Sequence, residues 1–172
     1  MTVDRILTTH IGSLPRTPKL LELLKKRQDG DAVDEEEWHQ TVVDATETVI
    51  QRQADVGLDI VNNGEQPRVS FNWYVANRLS GIGDTRDAPL WDDLADFPEY
   101  AEDAFHAEGI DLTKQPSVTG PVEYIGEEAA HEEIDTFFEL LDAGEYDFEG
   151  TFLTAASPGV AAATLVNDYY DS

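Results

Sequence analysis

The sequence predicts an α/β fold built from about four strand–helix units around a parallel sheet. Short apolar runs alternate along the chain with longer segments whose apolar residues recur at helical spacing, the signature of successive βα units. A polar motif follows each apolar run: Gly12-Ser13, Gly64-Glu65, Gly120-Pro121 and Ser157-Pro158-Gly159. Ligand sites of both barrels and open α/β sheets lie at that carboxyl edge of the strands. The 172 residues suffice for one domain with a sizeable core. They fall short of the roughly 250 that a closed (βα)8 barrel takes.

Taken in order, Ile6–Thr9 reads as a first strand. Thr17-Pro18 opens a helix, with Pro preset for the first helical position. Leu20, Leu21, Leu23 and Leu24 form its apolar stripe, Lys25, Lys26 and Arg27 suit the negative end of its dipole, and Gly30 ends it. Asp34 caps a second helix, with Glu37 three residues on as a variant capping box. Trp38, Val42, Ala45, Val49 and Ile50 line one face of that helix, which ends near Val56-Gly57. Leu58–Val61 is a short strand delivering Asn62-Asn63-Gly64-Glu65 to a loop. Ser70–Leu79 reads as a helix, Gln115–Val118 as a third strand, and His131–Ala143 as a helix stopped by Gly144. Thr151–Thr154 is a fourth strand, and a helical pattern begins at Val160, where the chain nears its end. Between these, about 83–114 is an irregular acidic insertion with scattered aromatics, Trp91, Phe97, Tyr100 and Phe105, and one or two short helices. The whole reads as one partial domain over 1–172.

Composition limits the functions open to this chain. Acidic residues outnumber basic ones 36 to 11, for a formal net charge of −25. Such a surface repels nucleic acids and anionic membranes, so neither is an expected partner. The acids run from Asp4 to Asp171, and lysine is confined to Lys19, Lys25, Lys26 and Lys114. This pattern resembles halophilic proteins. No apolar run approaches the roughly 18 residues of a membrane span, and the amino terminus lacks the pattern of a signal peptide. A cytoplasmic location is expected. With no cysteine, this chain alone offers no disulfide, thiol nucleophile or thiolate metal site. His39, His106 and His131 show no metal-ligand spacing. No GxGxxG or GxxxxGK[ST] pattern supports a nucleotide site.

Four segments together resemble the catalytic barrel of cobalamin-independent methionine synthases and their shorter archaeal relatives. Thr8-Thr9-His10-Ile11-Gly12-Ser13-Leu14-Pro15-Arg16 is similar to the family's TT-x-IGS-(F/L)-P opening. Gly57-Leu58-Asp59-Ile60-Val61-Asn62-Asn63-Gly64-Glu65-Gln66-Pro67-Arg68 is similar to its GLD…DGE…R loop. Val118-Thr119-Gly120-Pro121-Val122 resembles its TGPVT strand and turn, and Ser157-Pro158-Gly159 follows the fourth strand in the same order. The resemblance implies a (βα)8 TIM-barrel-like fold of which this chain covers about the first four units. It places Ile11, Gly12 and Ser13 against the amino-acid part of homocysteine, where a glycine admits close approach of backbone N–H groups and a serine adds a hydroxyl. It assigns Glu65 to the substrate ammonium through a charge-assisted hydrogen bond. His10 and Arg68 flank these residues and complete the candidate binding set, although a lone His more often caps or packs and an Arg often serves as a structural ion-pair partner.

The implied activity is methyl transfer to the homocysteine thiolate from a folate or another methyl carrier, without cobalamin. The family's zinc ligands, His, Cys and Cys, come from the later part of the barrel, so zinc is expected only in the complete enzyme and no catalytic residue is assigned here. The turn Gly120-Pro121-Val122-Glu123-Tyr124-Ile125 lacks the family's folate-holding aromatic segment, which leaves the methyl donor open. The chain is expected to be inactive alone and to pair with the missing barrel half or with a second copy. A non-catalytic amino-acid-binding or regulatory protein, a coenzyme M-type thiol alkyltransferase and a decarboxylase-like relative are the alternatives.

Overall fold

The computed structural model describes residues 5–87, 94, 96–105 and 113–171. They divide into two compact units. The first comprises Met1–Arg27, Asp31–Pro67 and Glu128–Thr154; the second comprises Gln28–Gly30, Arg68–Glu127 and Ala155–Ser172.

The first unit is built on α1 (Pro18–Asp29), α2 (Glu35–Asp55), β1 (Ile60–Val61), α5 (Glu127–Ala143) and β4 (Gly150–Thr151). Leu20, Leu23 and Leu24 are buried along α1, at the helical spacing their sequence announces. Asp34 caps α2, its carboxylate accepting from the Glu37 N–H at 2.8 Å. Ile50 from α2, Val61 from β1 and Phe137 from α5 form the core, with Leu140, Leu141, Tyr146, Phe148 and Leu153 packed around them. β1 pairs in parallel with β4, Ile60 opposite Gly150 and Val61 opposite Thr151. The Glu149 and Phe152 N–H groups extend that ladder to the Asp59 and Val61 carbonyls.

The expected first strand shrinks to one parallel bridge, Thr9 with Ile60. Its ladder is interrupted by a side chain. The Thr8 N–H donates to the Asp59 carboxylate at 2.7 Å, while the Thr8 carbonyl receives the N–H groups of both Asp59 and Ile60. The parallel order Thr9, β1, β4 nevertheless puts the loops after all three segments at one carboxyl edge.

The second unit contains α3 (Phe71–Ala76), β2 (Ile82–Asp87), α4 (Pro98–Phe105), β3 (Lys114–Val118), α6 (Pro158–Thr164) and β5 (Val166–Asn167). Its core joins Ala76, Val118 and Leu165, flanked by Leu79 and Ile82. Here the pairing differs from an all-parallel expectation: β3 lies between β2, which is antiparallel to it, and β5, which is parallel. The segment read as irregular from residue 83 opens within β2, held by the Lys114–Asp87 ion pair and by the Ser117 hydroxyl donating to the Asp84 carbonyl at 2.5 Å. The helix expected over Ser70–Leu79 is α3, capped by Ser70 and followed by turns from Asn77. Of the acidic segment, residues 88–93, 95 and 106–112, which include Trp91 and His106, lie outside the described residues. Among the described residues no helix is long and apolar enough to cross a membrane.

Candidate functional site

Both loops with the most distinctive sequences leave the first unit's sheet at its carboxyl edge. The loop after Thr9 turns at Gly12, whose φ of 95° lies where a side chain is strained. His10 ties this turn to itself, its Nε2–H donating to the Gly12 carbonyl at 2.9 Å. The His10 carbonyl in turn accepts from the Asn62 side-chain amide at 2.6 Å. His10 is thus a half-buried brace of the turn, while Ile11 is 73% exposed.

The loop after β1 is held more tightly. Gln53 on α2 pairs with the Asn62 backbone in both directions, at 2.7 and 3.2 Å, and is buried. The Asn62 and Asn63 side chains accept the N–H groups of Gly64 and Glu65 at 2.8 and 3.0 Å. These bonds hold two successive residues in the left-handed region, Gly64 at φ 59° and Glu65 at 55°. For a non-glycine residue that conformation costs about 1–2 kcal/mol. It persists where surrounding contacts over-determine it, a frequent property of functional loops. A side chain at Gly64 would also stand 3.0 Å from Leu14.

The two loops join. The Leu14 N–H donates to the Gly64 carbonyl at 2.9 Å, and the buried Gln66 amide returns to the Leu14 carbonyl at 3.0 Å. The Arg16 guanidinium reaches the Glu65 carbonyl at 3.0 Å and the Ser13 hydroxyl at 3.3 Å. The Ser13 hydroxyl donates to one oxygen of the Glu65 carboxylate at 2.8 Å. The other oxygen accepts from the hydroxyl of Thr154, which follows β4, at 2.9 Å. Ser13 is exposed and Glu65 and Thr154 are half-buried, so a carboxylate fixed by two neutral hydroxyls stands within reach of solvent. Such a group can receive a cationic ligand in a charge-assisted hydrogen bond.

Of the residues singled out from the sequence, His10, Gly12, Ser13 and Glu65 are brought together, with Ile11 on the same turn. Arg68 belongs to the second unit, where it is buried with its guanidinium 4.2 Å from the Tyr74 ring centre. Reading the sequence missed Thr154, Arg16, Asn62, Asn63 and Gln66 as parts of this arrangement. All but Thr154 lie within the quoted motifs, which was the available signal. Among the described residues no group of three or more His, Asp or Glu is placed to hold a metal ion, and the sequence has no cysteine. The donor set present does not fit a zinc site.

Comparison with known proteins extends this picture. The family model described as the cobalamin-independent synthase, catalytic domain, matches residues 6–91, half of the chain. A protein of Thermotoga sp. (strain RQ2), named 5-methyltetrahydropteroyltriglutamate–homocysteine methyltransferase, is 31% identical over 80 residues, which span 46% of this chain and 11% of that protein. One of the same name from Bacillus cytotoxicus is 34% identical over 80 residues, 46% of this chain and 10% of that protein. The matched stretch thus covers about a tenth of the length of these relatives. Among solved structures, a B12-independent methionine synthase from Shewanella sp. W3-18-1 in complex with selenomethionine aligns with a TM-score of 0.60 at 23% identity, covering 94% of this chain and 40% of that one. That likeness shows a shared α/β fold of TIM-barrel type, of which this chain is a portion. With half its length matched by the family model, the chain belongs to the family of cobalamin-independent synthase catalytic domains.

Proposed function

We propose that this chain supplies the amino-acid-binding half of a methyltransferase active site that moves a methyl group from a folate or another methyl carrier to the sulfur of homocysteine. The single observation carrying this reading is the Glu65 carboxylate, held between Ser13 and Thr154 at the carboxyl edge of the sheet. In the proposed complex Glu65 receives the substrate ammonium, and the Gly12-Ser13 turn takes its carboxylate, with Ile11 and His10 shaping that turn. The Shewanella relative, whose structure contains the amino acid selenomethionine, supports the same ligand class. Zinc activation of the thiol, implied by the resemblance, rests on residues other than those of this chain, supplied by a completing barrel half or another, different chain. The excess of acids supports a high-salt cytoplasm as the setting.

Calorimetry with the completed enzyme tests the proposal. Replacing Glu65 by Gln keeps the shape and removes the charge. Hydrogen bonds to charged groups contribute about 1.5–3 kcal/mol, so homocysteine affinity should fall on the order of tenfold or more. Equal affinity for wild type and Glu65→Gln would remove the residue-level support. Methyl transfer by this chain without a completing half would refute the division of labour.

A further inference from the structure

Glu65 does not orient itself. Its backbone is fixed by Asn63, but a glutamate side chain has three rotatable bonds, and a carboxylate that turns freely is a poor partner for one ammonium. The hydroxyls of Ser13 and Thr154 come from different loops and take different oxygens, Oε2 at 2.8 Å and Oε1 at 2.9 Å. A carboxylate offers about four lone-pair positions, of which these bonds occupy two. Both donors are neutral, so they set the plane of the carboxylate without cancelling its charge. Ser13 sits on the turn expected to touch ligand. Thr154, 89 residues from Glu65 in sequence, is half-buried behind the carboxylate.

We infer that Thr154 is a positioning residue for Glu65, fixing its carboxylate to receive the ammonium of an α-amino acid. The inference rests on the reading of this site as an amino-acid pocket. Thr154 acts through Glu65, and its contribution is specific to the amino group. A purely structural threonine would instead support binding of aminated and non-aminated ligands alike.

Calorimetric titration of the chain in molar salt with L-homocysteine and with 4-mercaptobutyrate, which keeps the thiol and carboxylate but lacks the amino group, separates these roles. Wild type should prefer homocysteine by tenfold or more, as expected for a charged hydrogen bond. Thr154→Val should cut that preference by about fivefold, the scale of one ordinary net hydrogen bond. Thr154→Ser should restore it. The double variant Thr154→Val, Glu65→Gln should lose no more than Glu65→Gln alone, because the two side chains act as one unit. Thr154→Ala serves in place of Thr154→Val if circular dichroism shows the latter unfolded. A folded Thr154→Val or Thr154→Ala that keeps the wild-type preference, while Glu65→Gln loses it, overturns the inference and leaves the pocket intact. A wild type with no preference removes the amino-acid reading and the inference together.

Discussion

Asp59 gathers four donors onto one carboxylate. The Arg5 guanidinium approaches both oxygens, one contact measuring 2.6 Å, and the Thr8 N–H and hydroxyl reach Oδ2 at 2.7 and 2.9 Å. The Arg5 hydrogen bonds, followed by the Thr8 N–H, hold this carboxyl well below the usual carboxylate range. A lowered folded-state pKa has a definite sign. The stabilisation is complete above the unfolded value, about 3.9 for Asp, and is lost as pH falls from there toward the folded value. The thermal midpoint of wild type should therefore exceed that of Asp59→Asn near neutrality, with the gap closing below about pH 4. A gap independent of pH from 7 to 2 would contradict this assignment. Asp59 carried no role on a reading of the sequence, because its partner Arg5 lies 54 residues away and no local pattern announces the pair. Ser13 and Glu65 stood out because the family resemblance gives their motif positions a role, which it does not do for Asp59 in the same segment as Glu65. Thr154 did not stand out, since a threonine after a strand is an ordinary residue until the fold brings Glu65 to it.

At the level of elements, legibility follows burial. α2 could be read because Asp34, the acids Glu35, Glu36 and Glu37, and the apolar positions Ala45, Val49 and Ile50 all point to one helix in one register. β2 could not, because apart from the half-buried Ile82 it is exposed throughout and carries no apolar alternation. β3 was read over Gln115–Val118 although it buries Gln115 and Ser117 beside Val118, whereas β5 spans only Val166–Asn167 and is too short to carry a pattern. The capping bond of α2 gives a direct test. Loss of an Asp cap costs about 1 kcal/mol, which for a chain of this size lowers the thermal midpoint by roughly 2–4 °C. Asp34→Ala should show that drop, whereas Asp44→Ala, on the exposed flank of the same helix, should stay within about 0.5 kcal/mol of wild type. Equal effects at the two positions would mean that the cap bond contributes nothing beyond a surface charge.

For the molecule as a whole, the net charge of −25 is the dominant energetic fact. Several of the scarce cations already sit in ion pairs, Lys19 with Glu37 at 2.6 Å, Lys26 with Glu22 at 2.7 Å, Arg86 with Asp168 at 3.0 Å, and Arg27 with Glu35. These pairs are mostly exposed, and pairs of that kind contribute about 0–1 kcal/mol each. They cannot offset the mutual repulsion of 36 acids. Screening can. At about 0.1 M salt the Debye length is roughly 10 Å, so carboxylates on neighbouring turns and strands feel one another, while near 1 M it is roughly 3 Å and they scarcely do. Folding concentrates these charges, so repulsion penalises the folded state more than the open chain. The thermal midpoint should therefore rise steadily as KCl is raised from about 0.1 M to above 1 M, with cooperative structure lost at the low end. Salt also strengthens apolar burial in a general way, and sucrose separates the two causes because it is excluded from protein surfaces without screening charge. If screening dominates, sucrose at low ionic strength recovers only a minor part of the stability that KCl restores. A midpoint unchanged by KCl would refute adaptation to high salt, and full recovery in sucrose would transfer the effect from charge to solvent exclusion.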